Sequence, residues 1–296
     1  MKITITGASG LLGKYLLSTQ PIKDTPEGIV EYEHEITPCY RNNKIKGGIK
    51  LDVSNFAEVV EVLFKAQPDI IIHCAANGDV DSVEQNPGEA VKADLLGTIH
   101  LKDYAERVGC KLITISTNAV YDGKHAPYDE TSVRAPINFY GKIKSLADDI
   151  IMKSTCEWII IRPIFMYGWN WPHGRDNWAT KIIKSLKEGK ELNLVDDVYT
   201  QPTYAGDVAG MIWTVIKDFG WKKELNISSN ERVNLFELGK VIAKVFKLKG
   251  VILPAKIREF KGYAPRPIDT CFGHIGWIGT FSTIKEGLKK MRDERD

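Results

Sequence analysis

The chain has 296 residues, 43% of them hydrophobic and 26% charged, with a formal net charge of +2 at pH 7. Those totals fit a globular protein of one or two domains and give no electrostatic case for nucleic acid or an anionic membrane surface as partner. No apolar run approaches the ~20 residues of a spanning helix, and the start, MKITITGASG, has no apolar signal-peptide core.

Cys39, Cys74, Cys110, Cys156 and Cys271 are scattered, with no CxxC and no paired histidines. That pattern predicts buried thiols in a reducing, cytoplasmic compartment, with neither a metal site nor a disulfide framework.

Short apolar runs alternate with amphipathic stretches. KITIT predicts a strand and LLGKYLLS a helix; EITPCY is a second strand, and FAEVVEVLFKA has helical spacing. DIIIHCAA is a buried strand, and its His73 is expected to be a satisfied core histidine. The run from Ser82 to Gly109 is helical, with Pro87 marking a break or a start. KLITIST and EWIIIRP are further strands, with a helix over YGKIKSLADDII between them. Regular alternation predicts an α/β fold of the Rossmann type, a doubly wound parallel sheet covered on both faces. After Arg162 the rhythm loosens, and helices resume at ATKIIKSLKE, GDVAGMIWTVIKD, NLFELGKVIAKVF and STIKEGLKKMRDE. The expected division is a nucleotide-binding domain over 1–163, completed by about 206–223, and a smaller α/β substrate-binding lobe over 164–296.

TGASGLLG sets Gly7, Gly10 and Gly13 between a strand and a helix. Glycines in that context permit a tight turn and close approach of backbone to a pyrophosphate. The loop and first turn, with Ser9, Leu11 and Leu12, then offer free N–H groups to it. The second strand runs into Arg41 with no acid at its tip, which favours a 2′-phosphate and hence NADPH, NADH being the alternative. Glu31, Glu33 and Glu35 precede that strand and would serve NADH in a shifted register.

Tyr140 and Lys144 lie four residues apart on one helix and share a face. Alone, such a pair is an ordinary solvated face. TGASGLLG, LDVSN, HCAANGDVDSVEQNP, ISTNAVYDG, APINFYGKIKSLAD, IIRPIFMYG, QPTYAGDVA and APRPID together carry a resemblance that spans nearly the whole chain. The chain resembles the extended short-chain dehydrogenase/reductases, and most of all their dTDP-4-dehydrorhamnose reductase branch.

That resemblance implies that Tyr140 is the general acid, Lys144 its neighbour and a ribose contact, and Thr117, four residues before Tyr121, the third catalytic hydroxyl. A nearby ammonium is expected to lower the phenol's pKa. Ser116 is assigned to packing or cofactor contact. By match, Asp52 with Val53 contacts the adenine, Ala75 and Ala76 let the cofactor lie close, and Ile164 offers backbone near the carboxamide. Asp94 stands where many relatives carry Asn in an N-V-x-G-T pattern.

The implied reaction is reduction of a nucleotide-linked 4-keto-6-deoxy sugar, with hydride from NADPH to the C4 carbonyl. Asn118, Tyr121, Asn138, Trp169, Asn177, Thr203 and Arg266 are the expected substrate contacts. Trp171, Trp178, Arg175 and His173 are further candidates. No metal site is legible, and a homodimer is expected because the family often dimerises. The alternatives are a nucleotide-sugar 4-epimerase with tightly bound NAD and a non-catalytic subunit like the regulatory one of methionine adenosyltransferase. Dehydration is disfavoured: dehydratases carry Asp-Glu where this chain has Asn118 and Ala119.

Overall fold

In the computed structural model, residues 1–23, 31–218, 220–260, 262, 264–273 and 281–294 are described. The seven strands of the central sheet are β1 (Lys2–Thr6), β2 (Glu35–Tyr40), β3 (Ile49–Lys50), β4 (Ile70–His73), β5 (Lys111–Ile115), β6 (Trp158–Pro163) and β7 (Lys223–Ile227). Their spatial order is β7-β6-β5-β4-β1-β2-β3, and every neighbouring pair runs parallel. The order reverses between β1 and β4, which opens a crevice at the carboxyl ends of the strands. This is the Rossmann-type α/β sheet expected from the sequence.

The helices that matter for the site are α1 (Leu11–Ser18), α2 (Phe56–Ala66), α3 (Gly97–Val108), α4 (Phe139–Met152), α5 (Trp178–Lys187), α6 (Ala205–Asp218), α7 (Leu235–Val245) and α8 (Ile284–Asp293). Alternation along each strand sorts the core into two layers. Ile3, Ile5, Ile72, Ile113 and Ile161 pack with α1 and α6. Ile71, Leu112 and Ile160 pack on the other face with Val59 and Leu63 of α2 and Leu101 of α3. Pro38 sits within β2, but β3 pairs with β2 only at Cys39 and Tyr40. The side of Pro38 that lacks an N–H therefore faces no partner strand.

The helical stretch expected from Ser82 to Gly109, with a break or start at Pro87, is four pieces: Val80–Gln85, Pro87–Ala90, a π-helical turn over Val91–Leu96, and α3. Pro87 starts the second piece, as its fixed φ favours. The cysteines are free, and no helix among the described residues is long and apolar enough to cross a membrane.

The α2/α3/α4 face of the sheet also carries Thr6, His73 and Thr114 in register. His73 is 2% exposed. Its Nδ1 shares a hydrogen bond of 2.8 Å with Thr6 Oγ1, while Nε2 has no partner among the described residues. Burial, helped by the Lys144 charge, pushes the imidazole down to about 3 from 6.5. The unfolded chain therefore takes up a proton near pH 6.5 that the folded chain refuses until about pH 3. Stability from this group is complete above pH 6.5 and declines between 6.5 and 3. Urea unfolding at a series of pH values should show that slope, and His73→Gln should flatten it by one proton per molecule. An unchanged slope in the variant would contradict the assignment.

Candidate active site

The crevice is a cleft of ≈ 1570 Å³, larger than the roughly 300–1,000 Å³ that a single small ligand fills. One wall is the loop from β1 into α1. Gly7 has φ of +68°, and a Cβ there would fall 2.5 Å from Ala75 N. Only glycine permits that approach between the ends of β1 and β4. At Gly13 a Cβ would fall 2.5 Å from Ala8 Cα, so the first turn of α1 lies directly on the loop. No side chain caps α1 at Gly10. The N–H groups of Leu11, Leu12 and Gly13, which helix geometry leaves without an internal acceptor, are on residues that line the cleft, as is Ser9.

At one end of this wall, Asp52 Oδ1 accepts from Ser54 N (2.9 Å) and Ser54 Oγ (2.7 Å). Its Oδ2 lies 3.1 Å from Arg41 Nε, and Arg41 Nη2 is 3.7 Å from Glu89. Burial alone would raise the Asp52 pKa; the Ser54 hydrogen bonds and the Arg41 charge hold it below the usual carboxylate range. Arg41, Asp52, Val53, Ala75 and Ala76 all border the cleft. Ile164 does not: it is fully buried, and its N–H donates to Ile227 O at 3.1 Å. Pro163 and Phe165 line the cleft on either side of it.

The opposite wall holds Thr117, Asn118 and Tyr140. Thr117 caps the 3₁₀ turn Asn118–Val120, accepting from Ala119 N at 3.2 Å. Asn138 caps α4: its Oδ1 accepts from Gly141 N at 2.8 Å, and its Nδ2 donates to Pro265 O at 3.0 Å. That cap aims Tyr140 at the cleft. Lys144 is 4% exposed, and its Nζ donates to Ile115 O at 2.6 Å.

The Tyr140 phenol is raised, not lowered, contrary to expectation. Burial raises it above its ordinary value, the nearby Asp94 carboxylate adds to that, and hydrogen bonding from Thr117 only partly opposes both. The physical reason is burial first and the nearby carboxylates second. Burial raises the Asp94 and Asp148 carboxyls above their ordinary range, and the Lys144 charge partly opposes that rise. Both carboxylates also act on the phenol and oppose its ionisation.

Three expected substrate contacts lie elsewhere. Tyr121 is fully buried, donating from its hydroxyl to Asp129 O at 3.0 Å. Trp169 packs edge-on to Phe246 in the core, with its ring N–H on Met291 O. Thr203 is also fully buried, donating to Gln201 O at 3.0 Å and accepting from Ser229 N at 3.0 Å. Apolar packing and backbone satisfaction account for all three.

Asn118, Asn177 and Arg266 do border the cleft. Asn118 donates to Thr270. Asn177 caps α5 through Thr180 N at 3.2 Å and donates to Gly168 O at 2.7 Å. Arg266 pairs with Asp81 at 2.6 Å, and Arg175 with Asp79 at 3.2 Å. Those two aspartates went unassigned from sequence, although both lie in the GDVDSVEQNP run. Trp178 is 44% exposed on the cleft, whereas Trp171 donates its ring N–H to Ala8 O at 3.1 Å.

The family model described as RmlD substrate binding domain matches residues 1–286. The chain belongs to that family. Among RmlD-family structures, a dTDP-4-dehydrorhamnose reductase from Bacillus anthracis str. Ames, solved in complex with NADP, is 30% identical, with a TM-score of 0.85 over 99% of this chain and 100% of that one. The "Probable dTDP-4,6-dihydroxy-2-methyloxan-3-one 4-ketoreductase" of Streptomyces antibioticus is 27% identical over 100% of this chain and 92% of its own length. Methionine adenosyltransferase 2 subunit beta of Xenopus laevis is 28% identical over 89% of this chain and 77% of its own.

Asn138→Ala removes both bonds that seat the start of α4. The expected outcome in urea denaturation is a loss of about 1–2 kcal/mol, with faster amide exchange in the first turn of α4. Unchanged stability would show that the cap does not hold the Tyr140 helix in place.

Proposed function

We propose that this chain is an NADPH-dependent reductase of a nucleotide-linked 4-keto-6-deoxy sugar, of the dTDP-4-dehydrorhamnose reductase type. The observation that carries the reading is that Thr117 and Tyr140 line the same cleft as an uncapped helix start behind a glycine loop. Residues 1–163 with 206–223 form the nucleotide-binding part in this reading, and the remainder recognises the sugar nucleotide.

The residues present fit a dinucleotide. The unshared N–H groups of Leu11, Leu12 and Gly13 suit a pyrophosphate. Asp52 suits an adenine amino group, and Arg41 beside it suits a 2′-phosphate, exchanging its carboxylate partners for the phosphate. Lys144 is 4% exposed, is held on Ile115 O and does not border the cleft; in this reading its remaining N–H groups meet the ribose hydroxyls from beneath the lining residues. When bound, the nicotinamide supplies hydride to the carbonyl carbon.

The protein's part is to orient the ketone and manage the proton. Thr117 hydrogen-bonds the carbonyl oxygen and polarises it. Tyr140 donates the proton to that oxygen as charge develops there. A phenol held above its ordinary pKa by burial and Asp94 is fully protonated at neutral pH, which is the state a reductase needs before each turnover. The arginines at 175 and 266 reach the cleft already paired with Asp79 and Asp81. A diphosphate would compete for them bidentately.

A second reading, a nucleotide-binding partner protein without turnover, is favoured by the 28% identity to methionine adenosyltransferase 2 subunit beta. Fold alone does not separate the two; Thr117 and Tyr140 on the cleft support the first. Tyr140→Phe should lower turnover by at least about 10²-fold and leave NADPH binding, followed by nicotinamide fluorescence, intact. Retained turnover would remove Tyr140 as the acid. Arg41→Ala should raise the Kd for NADPH about tenfold, roughly 1.4 kcal/mol, and hardly change that for NADH. Equal effects on both would remove the 2′-phosphate role.

A further inference from the structure

Tyr140, Lys144 and Asp148 are spaced i, i+4 and i+8 along one face of α4. The first two have roles in the reading above; the third has none. Asp148 is 2% exposed, and its Oδ2 gathers three donors: Ser116 Oγ at 3.0 Å, Arg162 Nε at 2.9 Å and Arg162 Nη2 at 2.8 Å. Arg162 is fully buried, its Nη2 also meets Glu224 of β7, and its Nη1 has no partner among the described residues. Arg134 approaches the same Oδ2 at 3.9 Å.

A buried ion pair is an expensive way to attach a helix to a sheet. An apolar pair of similar volume often does so equally well or better. What the carboxylate adds is direction. It only accepts, so the Ser116 hydroxyl must donate to it, and that fixes the Ser116 side chain against α4. Ser116 N–H is itself held on Ile161 O at 2.7 Å, and the carbonyl before it is held by Lys144 at 2.6 Å. The next residue along is Thr117.

We infer that Asp148, oriented by Arg162 and acting through Ser116, is a positioning residue that sets the Thr117 hydroxyl relative to Tyr140. This rests on the reductase reading for its kinetic consequence, but the geometry it predicts does not. The interlock holds two successive groups of one segment, Ile115 O and Ser116 Oγ, against successive turns of one helix, and Thr117 follows them directly. Losing the hold on Ser116 lets the adjoining Thr117 drift, and a shift of about 1 Å at a reacting group costs up to about 10²-fold in rate.

The test uses the full chain. Ser116→Ala leaves Asp148 paired with Arg162, so the fold is retained. The expected result is a kcat reduced about tenfold with KM and NADPH affinity unchanged, and faster amide exchange confined to residues 115–118. A second variant, Asp148→Leu with Arg162→Met, removes both buried charges and keeps the packing. It should fold yet be at least as slow as Ser116→Ala. Wild-type kcat in either folded variant overturns the inference and leaves the pair as a structural staple. If the unaltered protein reduces no sugar nucleotide, the reductase reading fails by itself. Exchange at 115–118 then decides the positioning claim, and unchanged protection in Ser116→Ala overturns it.

Discussion

The site depends on how α4 meets the end of β5. A Cβ at Gly141 would fall 2.1 Å from Ala119 O, so the helix backbone lies directly on the turn that follows the strand. One helical turn on, Lys144 reaches back to Ile115 O at 2.6 Å. Thr117 lies between the two contacted residues, Ile115 and Ala119, and next to Gly141 on the helix stands Tyr140. Its position relative to Thr117 follows from backbone packing, which holds distances more closely than a pair of loops could.

Electrostatics then follow from what that packing buries. Asp94, Lys144, Asp148 and Arg162 are each at most 4% exposed. Isolated charges would be costly there, and each has an opposite charge in its surroundings. Lys144 lowers the cost of both carboxylates, while burial first and the two carboxylates after it keep Tyr140 as a phenol. The same packing lets an Asp stand at position 94, where its two oxygens accept from Asn77 N at 3.1 and 3.3 Å and so hold the segment after β4.

Much of this was legible in the sequence, for reasons that differ by region. KITIT and EITPCY have the bounds of β1 and β2 because short β-rich runs between turn signals have few alternatives. KELNI, the seventh strand, carries no such signal: Lys223 is exposed, and Glu224 is drawn in by Arg162. In the site, Thr117 and Tyr140 share a cleft because backbone spacing ties them to adjacent elements. Tyr121, Trp169 and Thr203 were selected by chemical type or local pattern, and neither distinguishes a side chain that faces a cleft from one that faces the core. Asp148 did leave a trace, the third step of the Tyr140–Lys144 face. The acidic partners of Arg175 and Arg266 left none, because those pairs join segments nearly one hundred residues apart or more.

The most direct test of the central claim is nicotinamide absorbance. The purified chain would be mixed with NADPH, and separately with NADH, against a panel of nucleotide-linked 4-keto-6-deoxy sugars. Loss of NADPH absorbance with one of them, faster than with NADH, is the expected result. A protein that binds the nucleotide yet oxidises none with any sugar would contradict the reductase account. Turnover of a sugar nucleotide without added cofactor would point instead to an epimerase with resident NAD.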